Sequence, residues 1–290
     1  MTSLNLWCLT DDKPGHKQQL LGLCHRIAAR IEIKVHWLCA QTNWQQPAEA
    51  PDLILGAGSS CSWQLWRLSR SFSCPSVVLM KPWLPLSWYS LAIVPKHDGL
   101  TGSNLLTTHG VLNNIQPQHP ACQDQQGIML LGGSSKHYQW STGSIVQQVH
   151  DLALQRPEVC WQVCDSRRSP EQLLTEINQL GLSNLTTRSH QQTSASQIGD
   201  LLNNCQYAVV SPDSVSMLYE SFTAGCRVAV FELKPARKGR VMRGVEQLLA
   251  EQRIAPLAGL WQQPRATLWE ADRAAEWLLG KLNFQPQQGS

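Results

Sequence analysis

At 290 residues the chain has room for one large domain or two of ordinary size. Its 42% apolar content supplies real cores, and 16% charged residues is too little for a disordered polyampholyte. A net charge of +3 is too small to argue for a nucleic-acid partner.

Short apolar runs alternate with helical segments almost throughout. Strands are predicted at 4–9, 31–38, 52–55, 76–80, 91–94 and 105–108, then at 127–131, 159–164, 185–188, 207–210 and 227–232. Helices are predicted at 16–30, 59–69, 143–155, 170–180, 196–203, 215–224, 240–252 and 270–282. Val/Ile/Leu strands alternating with helices imply parallel sheets covered on both faces. The alternation pauses in the Gln/Pro/His-rich stretch around residues 115–126. The expected fold is therefore α/β, with two Rossmann-like domains facing each other across a cleft. Residues 1–114 form the first, 115–126 a linker, 127–268 the second, and 269–290 a C-terminal helix and frayed tail.

The nearest approach to bilayer length, CPSVVLMKPWLPLSWYSLAIVP, is broken by Lys81, Pro82 and Pro85 and reads as strand, loop, strand. Trp83 and Trp88 on that loop either touch a membrane surface or pack, and twelve tryptophans in the chain favour packing. Ten cysteines are scattered, and only Cys160 and Cys164 come close, on one face of a strand. No second Cys pair or His pair follows at zinc-ligand spacing, so no metal site is expected. Without a signal peptide the thiols read as reduced, in a cytoplasmic protein.

Chemistry concentrates where strands end. After the first strand comes T-D-D-K-P-G-H, where Asp11 and Asp12 either cap the next helix or carry chemistry together with Lys13, Gly15 and His16. The turn Gly56-Ala57-Gly58-Ser59-Ser60-Cys61 is a near miss to G-x-G-x-x-G, and Y-x-x-x-K occurs nowhere, so a NAD-dependent enzyme is disfavoured. His97 and Asp98 follow one strand and His109 another; adjacent His and Asp suit a base and its orienter.

In the second half, Gly132, Gly133, Ser134 and Ser135 form a loop whose backbone can approach an anion, with Lys136 and His137 beside it. Arg167 and Arg168 follow a strand and suit a phosphate, with Ser169 and Pro170 starting a helix. Ser214 and Ser216 lie at another helix start, a ready phosphate site, and Glu220 further in could take the hydroxyls of a ribose. Lys234, Arg237, Lys238, Arg240 and Arg243 crowd a basic loop that is either solvated or attracts an anionic substrate.

The pieces DDKPGHKQQLLGL, DLILGAG, VPKHDG, LTTHGVLN, GGSSKHYQW, DSRRSP and SPDSVSMLYESFTAGCRV, in this order over residues 10–245, resemble bacterial members of the mitochondrial-fission ELM family. That family is similar to two-domain nucleotide-sugar glycosyltransferases of the GT-B type. The resemblance implies Ser214 and Ser216 on phosphate, Glu220 on ribose, and His16 or Asp12 facing the acceptor. It implies a metal-independent transferase with no cofactor beyond its nucleotide-sugar substrate, and Gly133, Ser134, Ser135, Arg167 and Arg168 on the donor. A base, His16 or Asp98, would deprotonate a sugar or lipid-linked envelope acceptor, with Lys13, Gly15, His97 and His109 on the acceptor side. The reaction would lie in the cytoplasm, at the inner face of the membrane if peripheral contact is made. A non-catalytic scaffold and a non-hydrolysing sugar-nucleotide epimerase remain the alternatives.

Overall fold

The computed structural model describes residues 3–41, 45–117, 123–193, 195–237, 239–265 and 268–284. It divides into two compact units, Met1–Asn114 with Trp269–Ser290, and Ile115–Leu268.

In the first unit, β1 (Leu4–Thr10), α1 (Pro14–Ala28), β2 (Ile33–Cys39), β3 (Leu53–Ala57), α2 (Ser62–Phe72), β4 (Ser76–Leu79), β5 (Leu91–Pro95) and β6 (Leu105–Thr108) follow in turn. All six strands are parallel, in the order β2-β1-β3-β4-β5-β6. Strand alternation divides the core. Leu6 and Cys8 of β1 join Leu20 and Leu23 of α1 on one face, while Trp7 and Leu9 join Leu65 and Leu68 of α2 on the other.

The second unit runs β7 (Gln123–Leu130), α3 (Thr142–Gln155), β8 (Cys160–Cys164), α4 (Leu173–Asn178), β9 (Leu185–Arg188), α5 (Ala195–Asn204), β10 (Cys205–Val210), α6 (Val215–Thr223), β11 (Arg227–Val230), α7 (Arg240–Ala250) and β12 (Ala255–Pro256). These strands too are all parallel, ordered β12-β11-β10-β7-β8-β9. Met129, Trp161, Val163 and Val209 pack under α3 and α4, and α5 and α6 lie against β7, β10 and β11. The last helix, α8 (Glu270–Lys281), returns to the first unit, where Ala274, Ala275, Leu278 and Leu279 enter the α1 core. Arg26 of α1 and Arg30 just past its end both pair with Asp272, at 2.7 and 2.9 Å.

Several expected boundaries move. Helix α1 begins at Pro14, which takes the first helical position, where its missing N–H costs nothing. Residues 59–61 form a 3-10 turn ahead of α2. Residues 123–126, read as linker, are already strand, while 118–122 and the tail 285–290 lie outside the described residues. Among the described residues no helix is long and apolar enough to cross a membrane, and no cluster of three His, Cys, Asp or Glu could hold a metal ion.

Candidate functional site

Each sheet reverses its strand order once, and each reversal opens a crevice at the carboxyl ends of two strands, where α/β ligands bind. In the first unit the reversal falls between β1 and β3; in the second it falls between β7 and β10.

At the first reversal, Asp11 leaves β1 with its side chain fully buried. Its Oδ1 accepts from His16 Nδ1 at 2.6 Å, and its Oδ2 accepts from Ser60 Oγ at 3.1 Å and pairs with Lys13 Nζ at 3.1 Å. Burial alone raises a carboxyl, but the hydrogen bonds from His16, Lys13 and Ser60 outweigh it and hold Asp11 below the usual range. A carboxylate on Nδ1–H leaves the lone pair of the neutral ring on Nε2. The His16 side chain is 20% exposed, so the ring is reachable. Gly58 closes the other wall at φ +100, where a Cβ would lie 2.6 Å from His16 Nδ1 and 2.9 Å from Asp11 Oδ2.

Asp12 is not part of this pair. It is exposed, takes the left-handed φ of 58°, and donates its N–H to Thr10 Oγ1 at 3.1 Å. Neither Asp11 nor Asp12 caps α1, whose N-cap is Lys13 without a side-chain cap bond. Gly15 is exposed, with open space where a Cβ would go. Asp98, with its side chain 2% exposed, lies 4.0 Å from His97 Nε2 in a 3-10 turn after β5. That is three strand spacings from β1, roughly 14 Å, and exposed His109 after β6 is one strand further. Strand order therefore sets Asp98, His97 and His109 at the ends of strands other than β1 and β3, which flank the Asp11–His16 pair.

At the second reversal three loops interlock. Gly132 N–H donates to Ser211 Oγ at 2.7 Å and Gly133 N–H to Asp213 Oδ2 at 3.4 Å. Both amides are thus engaged within the protein rather than open to an anion. A Cβ on Gly132 would sit 2.2 Å from Asp213 Oδ2, and one on Gly133 only 1.9 Å from Arg168 O, so the glycines allow the loops to close. Ser169 does not cap a helix: α4 starts at Leu173, and Ser169 Oγ donates to the carbonyls of Leu131 and Gly132. Ser135 Oγ accepts from the N–H groups of His137 and Tyr138 and shapes its own turn, while Ser134 is exposed.

Arg168, not exposed Arg167, enters the cluster, with Nη1 2.6 Å from Asp213 Oδ2 and Nη2 donating to Ser214 Oγ at 2.9 Å. Ser214 is the N-cap residue of α6 but makes no side-chain cap bond, so the first N–H groups of α6 stay uncapped by it. Exposed Ser216 lies in that first turn. His137 Nδ1 and Asp213 Oδ1 are buried and have no hydrogen-bond partner. Burial, Lys136 and Arg237 together lower His137. The basic loop reaches this place because Gln139 N–H bonds Lys234 O and Ala236 N–H bonds His137 O. Arg243 is exposed, Arg240 opens α7, and Lys238 lies outside the described residues.

One and a half turns into α6, burial pushes the Glu220 carboxyl up to about 7, with no cation contributing an opposing shift. A buried carboxyl that no cation offsets suits ligand hydroxyls or amides. Asp11, Asp213 and His137 were the residues whose importance the sequence understated. The D-x4-H spacing of Asp11 and His16 is the signal the sequence held, and it takes a helix starting at Pro14, not at residue 16 as predicted, to bring the two side chains together.

Two parallel six-stranded α/β units define a GT-B-type protein, the fold shared by UDP-sugar epimerases and glycosyltransferases. Within that class the chain belongs to the mitochondrial fission ELM1 family, whose model matches residues 14–282. An uncharacterized protein of Rickettsia prowazekii (strain Madrid E) is 20% identical over 87% of this chain and 90% of its own. The UDP-GlcNAc 2-epimerase of Neisseria meningitidis bound to UDP-GlcNAc is similar at TM-score 0.56 and 10% identity, covering 97% of this chain and 100% of that one. MurG of Acinetobacter baumannii is similar at TM-score 0.50 and 11% identity, covering 96% of this chain and 92% of that one. At these identities the likeness establishes the fold alone.

Proposed function

We propose that the chain is a glycosyltransferase that moves a sugar from a nucleoside-diphosphate sugar to a cell-envelope acceptor on the cytoplasmic side of the membrane. The observation that carries this reading is the Asp11–His16 pair. A scaffold has no use for a buried carboxylate holding a reachable imidazole at a switch point, whereas a hydroxyl nucleophile needs that base.

The second unit takes the donor. Arg168 and the open first turn of α6, with Ser214 and Ser216, receive the diphosphate. Glu220 accepts from the ribose hydroxyls, while Asp213 Oδ1 and His137 Nδ1 meet further polar groups of the donor. The first unit activates the acceptor. His16 Nε2 takes the acceptor hydroxyl proton, the acceptor oxygen bonds the anomeric carbon, and the carbon–oxygen bond to the diphosphate breaks. Asp11 stabilises the imidazolium that forms, and the departing negative charge falls on Arg168 and the α6 amides. These groups supply charge stabilisation without requiring a cofactor.

The test is thermal stability against a panel of nucleotide sugars, followed by transfer of labelled sugar into a total envelope-lipid extract. A ligand at about 100 times its dissociation constant stabilises by about 2.7 kcal/mol, enough to read in a melt. A Glu220-dependent shift with His16-dependent incorporation is expected. Sugar isomerised without acceptor would identify an epimerase, and no response to any nucleotide would identify a scaffold.

A further inference from the structure

The first unit carries an aromatic surface that is rooted in its core through Trp66 and extends outward beyond it. Trp63 and Trp66 of α2 and Trp88 of the β4–β5 connection stand together, with ring centroids 4.9 Å apart for Trp63–Trp66 and 4.8 Å for Trp66–Trp88. Trp63 is 49% exposed, Trp88 39%, and Trp83 on the same connection 64%. Indoles left this open lose a large apolar area to water unless something covers them.

Along this part of the sequence the charge has one sign. Trp63, Trp66, Arg67 and Arg70 follow i, i+3, i+4, i+7 spacing and so form one stripe along α2. Between Asp52 and Asp98 the sequence has no acid at all, while Arg67, Arg70, Lys81 and Lys96 supply four cations. Tryptophan beside Arg and Lys is the composition of an interfacial anchor: the ring sits at headgroup level and the cations meet anionic lipid. Single-stranded nucleic acid fits less well, since base stacking needs open ring faces and these rings pack on one another.

Position ties this surface to the site. Trp63 follows the carboxyl end of β3 and Trp83 that of β4, the edge where Asp11 leaves β1, while Trp88 lies further along the connection, toward the start of β5. Ser60, three residues before Trp63, donates to Asp11.

We propose that Trp63, Trp83 and Trp88, with Arg67, Arg70 and Lys81, form a docking face for an anionic lipid bilayer. Docked by this face, the carboxyl edge of the first sheet meets the lipid, so the acceptor is a lipid-anchored molecule; that clause rests on the transferase reading, and the docking itself does not.

The experiment is co-sedimentation of the full chain with vesicles of phosphatidylglycerol and phosphatidylcholine, or of phosphatidylcholine alone. Tryptophan emission and size-exclusion light scattering are followed in parallel. Binding to the anionic vesicles with a blue shift is expected. It should weaken about tenfold or more in Trp63→Ser/Trp83→Ser/Trp88→Ser and in Arg67→Glu/Arg70→Glu. Raising salt from about 0.1 M to 1 M should weaken it as well. The charge-reversal variant leaves every indole in place, so it keeps the test open if the triple variant does not fold.

Absence of binding to the anionic vesicles, or equal binding by the charge-reversal variant, overturns the proposal. A dimer that the tryptophan variant dissolves would give the face to a second copy, and retention on single-stranded RNA in preference to vesicles would give it to nucleic acid. Vesicle binding without any nucleotide-sugar response sinks the transferase reading and the lipid-anchored acceptor, and leaves the docking face standing.

Discussion

His16 Nδ1 lies 2.6 Å from Oδ1 of Asp11, a carboxylate whose side chain has no exposure to solvent. The pair fixes the imidazole's orientation and tautomer before any substrate arrives, so Asp11→Asn should leave the ring in place with the wrong proton. Turnover should fall by about 10²–10⁴-fold while nucleotide-sugar affinity stays unchanged. His16→Ala should do the same. If Asp11→Asn keeps full turnover, or loses donor binding in proportion, Asp11 is a structural residue only. The pair also has a pH signature. A carboxyl held below its ordinary value contributes stability above that value and loses it as pH falls through the folded-state pKa, so Asp11→Asn should flatten the acid limb of the first unit's unfolding.

Gly58 and Gly15 separate geometry from sequence neighbourhood. Gly58→Ala adds a methyl 2.6 Å from His16 Nδ1 at a φ of +100, so the ring must move and the backbone is strained. Turnover should fall at least about tenfold, the cost of displacing a base from its reach. Gly15→Ala meets nothing within 4 Å and lies in the first turn of a helix, so activity should persist and stability rise by up to about 1 kcal/mol. Kinetics and melting curves of the two variants give the answer. Equal activity in both would remove Gly58 from the site.

What the sequence disclosed follows from how local each signal is. Periodicity located every strand except β12, whose two residues include Pro256 and give no period to read. The loops after β1, β7 and β10 stood out because polar residues there interrupt apolar runs. Which polar side chain faces inward was not legible. It depends on the left-handed turn at Asp12, which leaves Asp11 buried and Asp12 out, and on the fold of the β8–α4 loop, which selects Arg168 over Arg167. Gly132 and Gly133 read as an anion loop from composition. Their partners Ser211 and Asp213 lie about 80 residues away, and only strand order brings them together.

Arg168 and Arg167 give a paired test of that selection. Removing Arg168 strands the fully buried Asp213 without its cation; allowing for the 43% exposure of the arginine, Arg168→Ala should destabilise the second unit by roughly 1–3 kcal/mol. Adding Asp213→Asn should recover most of this, since the uncompensated charge is gone. Arg167→Ala should change stability by less than about 0.5 kcal/mol. Nucleotide-sugar affinity, read by calorimetry, should drop for Arg168→Ala and not for Arg167→Ala. The reverse ranking would return the diphosphate to Arg167.

Glu220 separates stability from binding most cleanly. Its folded carboxyl titrates near 7, against an ordinary value of 4.5, because burial disfavours the charge. Below about pH 4.5 both states are protonated and the group costs nothing. As pH rises toward 7 the unfolded chain ionises first and stability is lost, up to about 3 kcal/mol above pH 7. Glu220→Gln removes that loss. Its second-unit melting transition should rise by roughly 5–10 °C at pH 8 and change little at pH 4. Binding should move the other way. The ionised carboxylate accepts from ribose hydroxyls, so wild-type affinity should strengthen between pH 6 and 8, and Glu220→Gln should be weaker by about 1.5–3 kcal/mol and flat with pH. A nucleotide sugar is the right probe because its diphosphate does not titrate in this window. A variant that is more stable and binds as tightly as the parent would leave Glu220 a merely buried acid and take the ribose away from it.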